Sequence, residues 1–337
     1  MARRIGFVIL SHRDPQQLRR LVHCLQRVYD NPPIAVHHDF DQSPLGLIDF
    51  PSDVQFVAPH VKTRWGHFSV VIAVLRALEL LYQTATPDWF ALLSGADYPT
   101  MPAASVLEDL EASGVDALLD HRELPTRSDG KLKVSSGIRF LEDSVELGSL
   151  HLMRADPAPD NPALKHFAMP ANAALAWRRY MGLRLSLPIV RNGPRIGRYI
   201  VQLPIEDWRS PFAPDFKCYY GDHWFTGNHK IADILLNPLN KHLRLRRYLR
   251  FRHTVAEECY YQTVLANTAG LKICKATKRF ADWSQSAGGP LGGPHPKLLT
   301  LEDLPAIVSS KPHFARKFAQ DSPVLDELDK MLSRQNA

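Results

Sequence analysis

The sequence predicts an α/β fold, in which a mostly parallel sheet is flanked by helices. Short apolar segments alternate with longer segments whose apolar residues recur at helical spacing. This alternation is typical of parallel sheets, because a helix then connects each strand to the next. The chain of 337 residues is 45% hydrophobic and 23% charged, which allows a sizeable core. The predicted strands are 5–11, 34–38, 54–58 and 89–94, and the predicted helices are 14–28 and 68–83.

The first strand and the first helix form one unit. Residues 5–10 contain no charged side chain, as expected of a strand that is buried on both faces. Asp14 follows the strand and is of a residue type that caps helices. The helix then has apolar side chains at helical spacing, namely Leu18, Leu21, Val22, Leu25 and Val28.

The next elements repeat this pattern. Residues 34–38 and 54–58 are rich in β-branched residues and predict two more strands. The second helix directs Val70, Val71, Val74, Leu75, Leu78 and Leu81 inward. Residues 89–94 predict the fourth strand.

Polar clusters follow three of the predicted strands, at residues 11–14, 37–41 and 94–99. Ligands of parallel α/β sheets bind beyond the carboxyl ends of the strands. We therefore expect a binding site at this edge of the sheet. No Gly-x-Gly-x-x-Gly or Walker A sequence is present, so neither of these two nucleotide-binding motifs explains the clusters.

The chain divides into three parts. Residues 1–121 form a nucleotide-binding half, and residues 217–337 form a second half that begins with a Gly-Asp-His-Trp-Phe sequence at 221–225 and a predicted helix through 231–239. Between them, residues 122–216 are rich in proline and turn residues, with one short helical stretch at 171–180. We expect this middle part to be an irregular, variable insertion that binds an acceptor substrate, within one continuous domain.

The net charge of +6 indicates a partner with phosphate groups. The most basic segment is residues 241–252, where leucine, tyrosine and phenylalanine alternate with lysine and arginine. Three interpretations stay open for it: a solvated basic face, contact with an anionic membrane, or RNA binding. The four cysteines form no Cys-x-x-Cys pair and no export signal is evident, so we expect reduced thiols and a cytoplasmic location, with peripheral contact at the inner membrane face as an extension.

Two distant segments favour one chemistry. Residues 256–263 place Glu257 and Glu258 at the start of an aromatic-rich helix, and residues 314–318 place Arg316 and Lys317 between two phenylalanines. A carboxylate can accept the proton of a sugar hydroxyl, and a cation pair can neutralise a diphosphate leaving group. Together they predict a transferase that uses a sugar nucleotide.

The chain resembles the core-2/I-branching glycosyltransferases, the family of the β-1,6-N-acetylglucosaminyltransferases and peptide O-xylosyltransferases. The matching segments occur in order at 9–12, 37–39, 64–66, 93–99, 221–224, 256–263, 282–283 and 314–318. The resemblance implies a GT-A-like fold and a bacterial-type member of the family. It does not extend well through residues 122–210.

The resemblance also implies roles for single residues. Glu258 is the general base, Asp39 contacts the uridine, and Arg316, Lys317 and Lys297 bind the diphosphate. Further donor-binding residues are expected at the matching strand ends and motifs, namely Ser11, His12, Trp65 and Asp97. The expected acceptor-binding residues are Asp222, His223, Trp224 and Trp283. Since His223 stands where the xylosyltransferases have an aspartate, the resemblance leaves xylosyl transfer in doubt.

The predicted function is inverting transfer of N-acetylglucosamine or xylose from a UDP-sugar to a saccharide or other hydroxyl acceptor, including a lipid-linked one. We expect no metal and no cofactor besides the donor, because cations replace the metal. One alternative is a metal-dependent transferase with the metal on Asp39 and Asp41. The other is a non-catalytic basic module that binds RNA or a membrane; the preferred function involves no nucleic acid.

Overall fold

The computed structural model describes residues 4–124, 144–147, 150–155, 184–190, 195–202, 211–237, 242–252, 255–284 and 296–335. The described helices are α1 (Pro15–Val28), α2 (Ser69–Thr84), α3 (Ala103–Ala112), α4 (His229–Leu236), α5 (Leu243–Arg252), α6 (Tyr260–Ala266), α7 (Leu304–Ser310) and α8 (Pro323–Gln335). The first eight strands are β1 (Ile5–Ser11), β2 (Ile34–His38), β3 (Gln55–Phe56), β4 (Trp89–Ser94), β5 (Asp97–Pro99), β6 (Ala117–Leu118), β7 (Arg122–Glu123) and β8 (Ser144–Leu147). The others are β9 (Leu150–Ala155), β10 (Arg184–Val190), β11 (Arg195–Gln202), β12 (Tyr219–Tyr220), β13 (Thr226–Asn228), β14 (Ile273–Cys274), β15 (Arg279–Ala281) and β16 (Phe314–Arg316).

A seven-stranded sheet forms the centre of the fold, in the order β14-β6-β13-β4-β1-β2-β3. Strand β1 is parallel to both neighbours, β2 and β4, while β13 is antiparallel to β4 and β6. The sheet is therefore mixed but mostly parallel, and helices flank it. This confirms the predicted GT-A-like α/β class.

Two apolar layers cover the sheet, and the alternation along β1 shows why. Side chains point to opposite faces at successive strand positions. Phe7 and Ile9 pack with helices α1 and α8 on one face, whereas Val8 packs with α2, α4, α5 and α6 on the other. All three β1 side chains are fully buried, so both faces of the central strand are core.

Most of the first predicted elements are confirmed. Strands β1, β2 and β4 have the predicted bounds, β3 is shorter than predicted, and α2 lies within one residue of its prediction. The prediction that Asp14 caps α1 is wrong, because its side chain makes no cap hydrogen bond and its φ is 51°. Pro15 instead begins α1, where a missing N–H costs nothing and φ is already helical.

The prediction of an irregular middle part is wrong for the described residues there. Strands β8, β9, β10 and β11 form an antiparallel sheet in the order β10-β11-β9-β8. Pro188 weakens the strand signal, but it lies in β10, an edge strand, where a missing ladder N–H is tolerated. The predicted helical stretch at 171–180 lies outside the described residues.

A small three-stranded sheet brings two distant motifs together. Its order is β15-β16-β5, with Ala315 opposite Tyr98 and Arg316 opposite Asp97. The backbone N–H of Phe318 donates to the Ala96 carbonyl at 3.0 Å. The sequence 314–318 therefore lies directly beside the end of β4, where the sheet predicted a site.

Candidate active site

An open cavity of about 600 Å³ lies between the segments that follow β6, β12 and β14. Its acidic side chains are Asp120, Asp222 and Glu258, and its basic side chains include Arg279 and Lys275. Trp283, with 42% of its surface exposed, also lines it. The cavity thus combines carboxylates, cations and an aromatic ring, which are the groups that bind and activate sugars.

Glu258 is the predicted base. It lies not in the helix but at the end of a 3₁₀ turn, Ala256–Glu258, two residues before the first residue of α6. The side chain is half-buried in the cavity wall. The N–H of Gly221 donates to the Glu258 carbonyl at 2.9 Å. A Cβ at Gly221 would lie 2.0 Å from the Asp120 carbonyl oxygen, so only glycine allows these cavity walls to meet.

Two arginines share one fully buried carboxylate beside the cavity. Arg316 Nε lies 3.1 Å from Asp97 Oδ1, and Arg279 approaches Asp97 Oδ2 at 3.8 Å. The Arg316 guanidinium also lies 4.6 Å from the centre of the Trp224 ring. The structure therefore places Asp97, Trp224 and Arg316, three of the predicted site residues, in one network of contacts. Asp97 balances part of the positive charge of Arg279 and Arg316.

Asp222 lies between this network and Glu258. Burial raises the pKa of its carboxyl, although the positive charges of Arg316 and Arg279 act in the opposite direction. Its Oδ1 accepts from the Trp224 N–H at 3.4 Å, and its carbonyl accepts from Gln262 at 2.7 Å. Asp222 is therefore a fixed carboxyl in the cavity wall.

A second cationic group forms at the carboxyl end of β1. Lys317 is half-buried and makes no ion pair with a carboxylate in the described residues. Burial, followed by the charges of Arg13 and Arg316, lowers its pKa. Burial, Arg13 and Lys317 likewise lower the pKa of His12. An anion bound here would relieve this repulsion, so the group suits a phosphate.

Asp39 is fully buried after the end of β2, and its Oδ2 accepts three hydrogen bonds. Thr63 donates its N–H and its hydroxyl at 2.6 and 2.7 Å, and Gln42 donates at 2.6 Å. Burial opposes ionisation, but the hydrogen bonds from Gln42 and Thr63 lower the pKa of Asp39 to about 2. On the neighbouring strand, Ser11 Oγ lies 3.2 Å from a ring nitrogen of His38.

The alternative metal site has a geometric basis. One ligand atom from each of Asp39, Asp41 and His60 lies within 4.8 Å of the others. Two carboxylates and an imidazole suit a divalent cation such as Mn²⁺. Both Asp39 oxygens already accept hydrogen bonds, however, which leaves less capacity for a metal.

Of the predicted site residues, only Glu258, Asp222 and Trp283 line the cavity, and three that have not yet been placed lie outside it. Lys297 Nζ lies 2.8 Å from Asp303 and 3.8 Å from Asp282, and the hydrogen bond to Asp303 raises its pKa. His223 is buried behind the wall, and burial lowers its pKa to about 3, so the ring is neutral. Trp65 does not line the cavity, although 62% of its surface is exposed.

The sequence did not indicate Asp120, Lys275 or Arg279. None lies in a motif, and strand β15, which contains Arg279, gave no separate signal. The bond from Arg279 to the Leu92 carbonyl at 2.6 Å depends on the tertiary fold. The only local hint was that Arg279 directly precedes the apolar pair Phe280 and Ala281.

The fold and this cavity define a GT-A-like protein with an acidic group opposite cations. The model of the family described as Core-2/I-Branching enzyme matches residues 5–155, which confirms the predicted resemblance over this part of the chain.

Two curated relatives support a glycosyltransferase. Beta-glucuronosyltransferase GlcAT14B of Arabidopsis thaliana is 24% identical over 350 residues, covering 98% of this chain and 66% of the relative. Beta-glucuronosyltransferase GlcAT14A of the same plant is 23% identical over 252 residues, covering 74% of this chain and 44% of the relative. The chain thus spans less than two thirds of the length of these relatives.

None of the described helices combines the length and the hydrophobicity that crossing a membrane requires.

Proposed function

We propose that the protein is an inverting glycosyltransferase that moves a sugar from a nucleoside diphosphate to a hydroxyl acceptor. One observation supports this most: Glu258 lines the same cavity as Arg279, whose partner Asp97 also binds Arg316. A carboxylate that can accept a proton therefore lies near the cations that can bind a leaving diphosphate. The family match and the two relatives support the same class of reaction.

The proposed chemistry has two coupled parts. Glu258 takes the proton of the acceptor hydroxyl while its oxygen attacks the anomeric carbon from the face opposite the diphosphate. The bond from the anomeric carbon to the diphosphate oxygen breaks, and the bonding electron pair leaves with that oxygen. Lys317, with Arg316 beside it, stabilises the new negative charge. The configuration at the anomeric carbon is inverted.

The donor sugar is a finer part of the proposal. The motifs favour N-acetylglucosamine or xylose, while both relatives are named for glucuronosyl transfer. Glucuronic acid differs from these sugars in its carboxylate. Lys275 lines the cavity and has no ion pair in the described residues, so it is available to a carboxylate on the sugar. We therefore add UDP-glucuronic acid to the candidate donors.

The acceptor and the cofactors belong to the same proposal. We propose a saccharide acceptor, including a lipid-linked one, and a reaction without metal. The three hydrogen bonds that Asp39 Oδ2 accepts support a reaction without metal, because they leave that oxygen little capacity for a metal ion.

Release of UDP from a donor panel tests the proposal, because slow donor hydrolysis needs no acceptor. The panel contains UDP-N-acetylglucosamine, UDP-xylose, UDP-glucuronic acid and UDP-glucose. We expect one donor to be hydrolysed well above the others, and we expect Glu258→Gln to abolish this release. If no donor is hydrolysed and UDP itself does not bind, the proposal is wrong.

A further inference from the structure

Glu257, the residue before the proposed base, is buried although it takes no part in the proposed reaction. Only 6% of its surface is exposed. Its Oε1 accepts the N–H of Gly66 at 3.2 Å, across 191 positions of sequence. Its Oε2 is buried and makes no hydrogen bond with the described residues. A carboxylate in this situation needs a partner or loses its charge.

The contact with Gly66 is one of two between the same segments. The N–H of Ala256 lies 3.5 Å from the Gly66 carbonyl. Residues 256 and 257 together therefore bind the carbonyl and the N–H of Gly66. We call this pair of contacts the Gly66 clamp. Gly66 has a φ of 69°, which favours glycine. Two residues later, Phe68 packs edge-on against Tyr260 at 5.6 Å.

The clamp joins two functional segments. Trp65 directly precedes Gly66 and exposes most of its indole. Glu258 directly follows Glu257. The clamp therefore fixes the backbone of Trp65 relative to the backbone of Glu258.

The surroundings of Glu257 favour an un-ionised acid. Burial raises the pKa of its carboxyl to about 8, and the charge of Glu258 acts in the same direction. The titratable groups that face it from the other packed elements are Tyr261 on α6 and His223, whose Nδ1 lies 3.4 Å from the Glu257 carbonyl. His223 is neutral, and no described cation forms an ion pair with Glu257.

We propose that Glu257 is a positioning residue, which as an un-ionised acid holds the loop at 64–66 against the turn that bears Glu258. This role rests on the proposed function, since it serves the base and the aromatic ring of a sugar transferase. Ionisation would place a second negative charge beside Glu258 with no cation to balance it. Although the Gly66 N–H favours the ionised form, the repulsion between the two carboxylates then displaces the turn, and the base moves relative to Trp65.

The pH profile of donor hydrolysis tests the role. In the unmodified protein we expect the rate to fall above about pH 8. Glu257→Gln keeps the shape and the acceptor oxygen but cannot ionise, so we expect a similar rate at pH 7 and no alkaline fall. Glu257→Ala removes the clamp contact, and we expect a loss of roughly tenfold or more at every pH, because small misplacements of reacting groups are costly. Glu79→Gln, on the exposed face of α2, is the matched control.

Thermal unfolding against pH separates this inference from the proposed function. The folded pKa of Glu257 lies above its unfolded value of 4.5, so the folded state binds the extra proton and stability falls as pH rises from 4.5 to 8. Glu257→Gln should remove that part of the fall whether or not the protein hydrolyses any donor. The inference is overturned if Glu257→Gln keeps the alkaline fall, if Glu257→Ala matches the unmodified protein, or if Glu257→Gln is as inactive as Glu258→Gln.

Discussion

Among single residues, Glu258 and Glu257 show how position separates two neighbouring carboxyls. Glu258 is half-buried and lines the cavity, whereas Glu257 is buried and bonded to Gly66. A positioned base contributes about 10² to 10⁴ in rate. We therefore expect Glu258→Gln to fold normally, to bind UDP-sugar and to lose at least about 10²-fold in transfer. Steady-state kinetics and a thermal melt measure both points, and near-normal turnover would contradict the assignment.

Lys317 differs from the other predicted cations because the described residues offer it no carboxylate partner. We expect Lys317→Ala to weaken UDP binding about tenfold or more, the scale of a lost hydrogen bond to a charged group, and to leave uridine binding almost unchanged. Calorimetry with both ligands measures the difference. Lys330→Ala is the matched control, since Lys330 is exposed and pairs with Glu327. Equal weakening of both ligands would show that Lys317 does not contact phosphate.

The sequence predicted where the candidate residues lie in the fold better than it predicted which residues they pair with. The strand-end residues Ser11, Asp39 and Asp97 lie where a parallel sheet places them, because strand ends follow from local pattern. The partner of each charge does not follow from pattern. Lys297 pairs with Asp303, six positions away, while Arg279 reaches Asp97 across 182 positions. Which carboxylate a cation pairs with depends on which elements become neighbours in the fold.

At the scale of elements, the basic segment at 241–252 became helix α5, and its burial limits the membrane interpretation. Leu245, Tyr248 and Leu249 belong to the core, so these apolar side chains do not insert into lipid. Arg247 and Arg250 remain exposed. We expect at most electrostatic binding, with about 1 kcal/mol for each basic residue near an anionic surface.

Co-sedimentation with vesicles measures this expectation. The protein should bind anionic vesicles weakly at low salt, lose that binding at physiological salt and ignore neutral vesicles. The double change Arg247→Gln with Arg250→Gln should reduce the binding. Salt-resistant binding, or equal binding to neutral vesicles, would show apolar insertion and contradict the structure.

Helix α8 is fixed to α1 and β5 through one carboxylate. Asp329 accepts from Arg20 at 2.9 Å and from the Tyr98 hydroxyl at 3.0 Å, and it also pairs with Arg27. Burial opposes ionisation, but the bonds from Arg20, Tyr98 and Arg27 lower the pKa of Asp329. Its stabilising effect is therefore present above the unfolded pKa near 3.8 and is lost as the pH falls through the lower folded value.

Asp329→Asn should destabilise the fold by about 1–2 kcal/mol. Most of this loss comes from the hydrogen bond with the buried Tyr98 hydroxyl, because solvent screens the ion pairs with the partly exposed arginines. Denaturant unfolding at pH 7 measures the loss. Asp326→Asn is the matched control: it lies on the same helix and also pairs with Arg20, but 62% of its side chain is exposed. An equal loss in both variants would mean that the Tyr98 contact contributes nothing.

The elements that the sequence predicted well are those with a strong local period. Strands β1 and β4 are nearly continuous apolar runs, β2 begins with three apolar residues, and α1 and α2 have clear helical spacing. The antiparallel sheet of β8, β9, β10 and β11 was missed because hairpin pairing joins short segments through long-range register. The turn before α6 was missed for a different reason, since three residues are too few for a period to appear.

At the scale of the whole molecule, the remaining question is how the negative charge of the leaving diphosphate is stabilised. Two sites compete for this role. The cationic group near β1 contains Lys317, His12 and Arg13, and the possible metal site contains Asp41 and His60 with the hydrogen-bonded Asp39. The cations of the first site can stabilise the negative charge of the diphosphate, as a metal does in other transferases, and they need not reorganise during the reaction.

We expect donor hydrolysis and transfer to survive EDTA, and Asp41→Asn to retain activity within about threefold. The physical reason is that Asp41 contacts only His60 and Lys62 by ion pairing among the described residues, at 3.6 and 3.7 Å, and its side chain is 48% exposed, so its charge is largely screened. Kinetics in EDTA, followed by addition of Mn²⁺ or Mg²⁺, measure the metal requirement directly. Lys317→Ala in the same assay is the comparison, because it should reduce turnover whether or not EDTA is present. If EDTA abolishes turnover, Mn²⁺ restores it and Asp41→Asn cannot be restored, then the metal site at Asp39 and Asp41 performs the role assigned to the cations.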